Sequence, residues 1–444
     1  MPGVLAVLAV LQGLHPLSAQ NVGRIGFERY TLANGLEVVL SPDRSTQVVA
    51  IDVWYRAGSR EEPSGKAGLA KLFERLMFAG SPAVPQGAYG VLVDNVGGQV
   101  NAEVDEEAAR FGNTMPSSRL ALGLWLEADR MRKLAINDTT VGEARLSLLD
   151  DLGRRVSEDP YTAAILDGVT GLYDSTSCPG YSHPNIGRAG SITGISTADV
   201  QTFFHDHYAP NGARLVIAGD FDPANARALI TQYFGDIPRG PDQASTACTA
   251  NFNSGALTKS VSDRTGGRLA VGRFYRIPAH DHADMPALEL LGLILSQGSH
   301  SRLMNALARD AKAAIGAQGG ILSDRRGPEV FGLFALAAPG VAADSLTSLL
   351  NAQVVWAAGD GLTDADLARA KNIYRATAVS VRERPADIAE QLQHAAFFHS
   401  SADDINVETD RVMAVTLADL RRVAKTWLAQ ENSLTLVVIP ETAS

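Results

Sequence analysis

Apolar and polar positions alternate and then cluster twice along this chain in the same order. FERYTLA (27–33) and LEVVLS (36–41) read as two strands, with Asn34-Gly35 as a tight turn between them. VVAIDVWYR (48–56) is apolar almost throughout, which fits a strand covered on both faces. Between Gly65 and Phe78, Leu69, Leu72, Phe73, Leu76 and Met77 recur at helical spacing. GGQVNAEV (97–104) reads as a strand. Helices are expected after Pro116 and from Val141 to Val156, and a last helix is expected after Ser196, where Asp199 favours a helix start. LVIAGD (215–220) closes the unit as a strand.

The order then returns. Asp43, Arg44, Tyr55 and Arg56 recur as Asp263, Arg264, Tyr275 and Arg276, a constant offset of 220 positions. ISTADV (195–200) recurs as VTLADL (415–420) at the same offset. Matches at both ends of a unit, at one offset, point to a duplication. The expected fold is α+β: two homologous α/β halves at 25–240 and 265–441, each a mixed, mainly antiparallel sheet covered by helices. Residues 237–267 are rich in Gly, Pro, Ser, Thr and Asp, and 241–264 within them reads as the linker.

Composition narrows the picture only a little. A chain of 444 residues with 45% hydrophobic and 20% charged residues has ample material for large cores. A net charge of −10 argues against a nucleic-acid surface. The apolar run at 4–14, followed by Leu17-Ser18-Ala19, reads as a secretory signal peptide over 1–19. No later run is long enough to span a membrane, so a periplasmic or secreted location is expected. Two cysteines, Cys178 and Cys248, cannot build a disulfide framework; they read as incidental thiols, with one bridge open to them in an oxidising compartment.

Several segments together resemble the pitrilysin/insulinase-type zinc peptidases. NGLEVVLSPDRSTQVVAIDVWYRAGSREEP is similar to that family's opening hairpin and central strand. GLAKLFERLMFAGS stands where its metal-binding helix lies. GGQVNAEV, LWLEADRM, HYAPNGARLVIAGDFDP and YFGDIPRG match later landmarks. The resemblance implies two halves facing each other as a clamshell. It also implies an inverted zinc motif, H-x-x-E-H, with two imidazole ligands four apart, a glutamate that activates water, and a distant glutamate as third ligand.

Here the motif reads Lys71-Leu72-Phe73-Glu74-Arg75. Both histidine positions are cations, and only the general-base position, Glu74, keeps its residue type. Counting back from Asp159-Pro160-Tyr161, the third ligand position falls on Asp151. An ammonium has no free lone pair, and a guanidinium stays protonated. No metal and no cofactor are therefore expected at this site, and Lys71, Arg75, Glu74 and Asp151 are expected to neutralise one another.

The resemblance further places Asn101 and Ala102 on an edge strand that pairs with extended peptide, and makes Arg309 a possible peptide contact. It makes Glu107 an acidic support position with Phe111 as its neighbouring aromatic. Ile315 or Gly316 stands where a substrate-contacting Tyr would be. A solvated helix charge is the plainer reading of Arg309. Among the histidines, His205 and His207 fall on different helix faces. His280 and His282 read as a surface loop without a third ligand, and His394 and His399 as partly exposed packing.

These observations lead to a non-catalytic member of the family, the silent subunit of a zinc-bearing partner or a homodimer, holding extended peptides. Two rivals stay open: an active metallo-endopeptidase with an unconventional site, and an assembly protein unrelated to proteolysis.

Overall fold

The computed structural model describes residues 23–441 apart from 159–160, 244–247, 249–254, 264–265, 300 and 400. The segment read as a signal peptide (1–19) and the Asp159-Pro160 landmark lie outside the described residues. Among the described residues, eleven strands form two sheets. The first holds β1 (Glu28–Thr31), β2 (Glu37–Pro42), β3 (Val48–Tyr55), β4 (Gln99–Val104), β5 (Ala109–Pro116) and β6 (Ala213–Gly219), in the order β1-β2-β6-β3-β5-β4. The second holds β7 (Leu257–Asp263), β8 (Ala270–Ile277), β9 (Ala314–Ile321), β10 (Glu329–Ala337) and β11 (Ser433–Pro440), in the order β7-β11-β8-β10-β9. Only β2–β6 and β7–β11 run parallel, so each sheet is mixed and mainly antiparallel. The helices that shape the site are α1 (Leu69–Leu76), α2 (Asp138–Glu158), α3 (Thr162–Thr170), α4 (Thr197–His207), α5 (Met285–Ser296), α6 (Pro385–Phe398) and α7 (Leu417–Trp427).

The duplication holds down to register. Tyr55 lies opposite Ala213, and Tyr275 opposite Ser433, both pairs separated by the same offset. Ser196 and Asp199 form a capping box at the start of α4, and Thr416 and Asp419 repeat it at α7. The parallel pair Glu37–Arg214 recurs as Leu257–Leu434. That last match corrects the linker. Its final residues are β7, the copy of β2, so the second sheet begins at Leu257 rather than after 264. Only Leu257 and Val261 are apolar in this edge strand, and its polar alternate positions imitate a loop.

Each half has its own core, one around Ile51, Phe73 and Phe111 and one around Leu291, Leu303 and Phe331. The other face of each sheet is covered by a helix from the opposite half. Ile388, Ala389 and Leu392 of α6 pack on Val39, Ala50 and Val216 of the first sheet. Val169 of α3, with Tyr161 and Leu172, packs on Phe274, Leu434 and Leu436 of the second. Gln393, buried on α6, donates its amide to the carbonyls of Asp52 at 3.0 Å and Arg214 at 2.9 Å. This exchange explains why β3 is apolar on both faces. Cys178 and Cys248 are joined as a disulfide, so of the two readings the bridge holds and the incidental thiols are corrected. Among the described residues, no helix is long and apolar enough to cross a membrane.

Candidate functional site

α1 begins where Gly68 takes a left-handed backbone (φ 100°), a conformation glycine adopts without a Cβ penalty. The buried carboxylate of Glu62 accepts hydrogen bonds from the backbone N–H of Gly68 at 3.0 Å and Ala70 at 2.8 Å. It thereby satisfies donors that a helix start leaves unpaired. Burial pushes the Glu62 carboxyl well above the usual carboxylate range, against the pull of those two backbone bonds. Leu69, Leu72, Phe73 and Leu76 fill the core, which turns Lys71, Glu74 and Arg75 toward β4 and α2.

There the four motif residues meet. Lys71 forms an ion pair with Glu74 and donates to the carbonyl of Val104 at 2.9 Å. The N–H of Val104 donates to Oε1 of Glu74 at 2.8 Å. Arg75 is ion-paired with Asp151, and its Nε donates to Oγ of Ser147 at 2.8 Å. Asp151 is also paired with Arg154. Burial lowers the Arg75 pKa, partly offset by the charge of Glu74. The donor set does not fit zinc. Two positions carry cations without a lone pair, and both carboxylates are engaged by those cations. The same side chains cap the end of the edge strand, because Lys71 and Glu74 take both backbone groups of Val104.

β4 is an edge strand of its sheet, at the end opposite β1. Asn101 and Ala102 point to opposite faces, as neighbours in a strand must. Ala102 packs on the core. Asn101 lines an open cavity of about 340 Å³ with Asp52, Trp54, Glu103, Arg110 and Glu390. A second cavity of about 370 Å³ continues past Glu103 and Arg110 to Asp105, Glu106 and, from the second half, Asp324 and Arg325. Burial, and then the charge of Glu390, push the Asp52 carboxyl up to about 8. Arg309 lies elsewhere, in the helical turn Met304–Asp310, where its guanidinium donates to Asn305 Oδ1 and the Ser299 carbonyl, both at 3.0 Å.

Beyond the cavities the halves are joined by buried charge. Glu107, wholly buried, pairs with Arg60 of its own half and with Arg326 of the other, and Tyr181 donates its hydroxyl to the same carboxylate. Arg325 pairs with Glu106 alongside. Phe111 is buried in the core behind this network, and edges onto Tyr55.

The histidines correct the sequence reading. His280 is not in a surface loop but 4% exposed, and the rings of His394 and His399 lie beside it. His282 is held apart, against Trp427. His205 is exposed, and His207 packs on Phe203. The grouping joins segments more than a hundred residues apart, and no local spacing signals it.

The profile described as "Insulinase (Peptidase family M16)" matches residues 37–166, and that described as "Peptidase M16 inactive domain" matches residues 194–374. The chain belongs to the M16 peptidase family. It is 25% identical over 419 residues to the zinc protease PqqE of Helicobacter pylori, covering 93% of each chain. Its fold superposes on the crystal structure of a protease from Helicobacter pylori with a TM-score of 0.87 at 24% identity, over 94% of this chain and 100% of that one. It also superposes on a structure described as the peptidase M16 inactive domain from Pseudomonas fluorescens, with a TM-score of 0.84 at 18% identity, over 95% and 99%. The two facing halves are the clamshell of those structures.

Proposed function

We propose that this chain is a non-catalytic M16 subunit, which holds extended peptide for a zinc-bearing partner subunit of the same family. The observation that carries the reading is the ion-paired motif. Lys71 and Arg75 occupy the imidazole positions and consume Glu74 and Asp151, so neither carboxylate is left to hold zinc or activate water. The Cys178–Cys248 disulfide supports a periplasmic or secreted setting, since such bonds persist in oxidising compartments.

Peptide holding rests on the cavities that flank β4. Glu103, Asp105, Glu106, Asp324 and Glu390 line them against Arg110 and Arg325. The excess of carboxylates favours basic peptides. Backbone pairing at the edge would supply affinity, and the cavities selection.

The test is an assay of the purified chain alone, and then mixed with a zinc-bearing M16 subunit from its source. The isolated chain should not cleave peptides, and the mixture should associate and cleave. Chelator-sensitive cleavage by the isolated chain, abolished by Glu74→Gln, would overturn the reading.

A further inference from the structure

A second group of metal-capable side chains lies where α6 meets the second half. His280 stands in the loop after β8. His394 is in the last turn of α6, and His399 caps that helix. Asp324 and Glu329 approach from the β9–β10 connection and the start of β10. One ring nitrogen from each histidine lies within 4.8 Å of the other two, and His280, Asp324 and Glu329 meet the same limit.

Each imidazole has one nitrogen facing a carboxylate. Nδ1 of His280 is 3.2 Å from Glu329 Oε1, Nε2 of His394 is 2.8 Å from Asp324 Oδ2, and Nδ1 of His399 is 3.9 Å from Asp404 Oδ2. The first two contacts are hydrogen bonds, and carboxylates in that relation fix the tautomer and tilt of metal-binding imidazoles. The opposite nitrogens, Nε2 of His280 and Nε2 of His399, are buried with no hydrogen-bond partner, as are Glu329 Oε2 and Glu289 Oε2. Buried polar atoms are normally satisfied, and several orphans in one cluster ask for a missing cation. A charged His280 between Asp324 and Glu329 accounts for Nδ1 but leaves both Nε2 atoms unpaired. A cavity of about 700 Å³, lined by His280, Glu289, His399, Asp404 and Glu408, gives access from solvent.

We propose that His280, His394 and His399 bind one divalent transition-metal ion, with the fourth position open to this cavity. His280 and His399 would coordinate through Nε2, and His394 through the nitrogen not held by Asp324. Three imidazoles select zinc or a similar borderline ion over calcium and magnesium, which prefer oxygen. Bonds of about 2.0–2.1 Å around a tetrahedral ion set the nitrogens about 3.4 Å apart, so atoms within 4.8 Å of one another must close by up to about 1.4 Å. Because α6 packs its other face on the first sheet, the metal would pin the exchanged helix to the second half.

The site is independent of α1, and so is its test. The full chain, stripped with a chelator, is titrated with zinc and, separately, with calcium and magnesium. Metal content, Tm and the absorption spectrum of the cobalt form are read. One equivalent of zinc, a higher Tm and tetrahedral cobalt bands are expected, with no response to calcium or magnesium. His399→Gln and His280→Ala should each weaken zinc binding tenfold or more and abolish the cobalt bands, while Glu74→Gln leaves both unchanged. His399→Gln keeps the test valid if His280→Ala does not fold. No zinc uptake at micromolar metal overturns the proposal. Zinc that survives both histidine changes overturns it too, and zinc lost instead in Glu74→Gln counts against the silent α1 site as well.

Discussion

Arg326 reaches out of the second half and donates its Nε to Oε2 of Glu107 at 2.6 Å, inside the first. Glu107 has no exposure to water, while the Arg326 side chain keeps 23%. Removing the carboxylate takes from Arg60 and Arg326 the anion they share, although Arg326 keeps Glu61 at 3.3 Å. Glu107→Ala should therefore destabilise the chain by about 3–5 kcal/mol, the usual result of stranding a buried charge. Arg326→Ala should cost less, because Arg60 still faces Glu107. Urea unfolding of both single variants and the double variant measures this. Additive losses would show that the two residues do not act as a pair.

Asp52 carries a pH dependence. Burial and then Glu390 hold its carboxyl at about 8 in the folded chain, against about 4 when unfolded. Between these values the folded state retains a proton that the unfolded state has lost. Stability from this group is complete below about pH 4 and falls as pH rises toward 8. Asp52→Asn removes the dependence. The variant should melt at a higher temperature than the parent at pH 8, with the gap closing by pH 5. A gap that widens toward low pH would reverse the assigned sign.

The acidic cavities make a further expectation measurable. A basic extended peptide should bind more tightly than its acidic counterpart, with the preference shrinking in high salt. Glu103→Lys, on the exposed face of β4, should weaken the basic peptide without changing Tm appreciably. Fluorescence anisotropy reads both. Equal affinity for the two peptides at low salt would count against the peptide reading.

Local pattern carried far into the structure and then stopped. The Lys71-to-Arg75 motif was legible because its residues share one helix face, and Asp151 because a landmark lies close by in the chain. β7 was hidden by Thr258, Ser260 and Ser262, although the offset from β2 marks its position. The Cys178–Cys248 pair, 70 residues apart, and the His280–His394–His399 group needed tertiary structure. The exchange of α3 and α6 between halves brings Asp324 to His394, and no periodicity encodes that.

The disulfide ties the loop before Tyr181 to the segment leading into β7. Closing a loop of 70 residues in the unfolded chain corresponds to about 4 kcal/mol in the chain-entropy model. The double variant Cys178→Ser/Cys248→Ser should lose about 2–5 kcal/mol, read by urea unfolding. Reductant should lower the Tm of the parent and leave the variant unmoved.

The ion pairs on α1 decide what restoring the histidines can achieve. Lys71→His/Arg75→His places two imidazoles on one helix face beside Glu74. It also frees Asp151 from Arg75 but not from Arg154, and the aspartate is one methylene shorter than the family's third ligand. A carboxylate held by a competing cation is a weak ligand. The double variant should therefore take up zinc poorly, and adding Asp151→Glu and Arg154→Ala should tighten uptake by about 10-fold or more. The series is measured in a His280→Ala/His399→Gln background, so that α1 alone is counted. Full zinc occupancy in the double variant would show that the side chains at 71 and 75, and nothing else around them, keep the metal out.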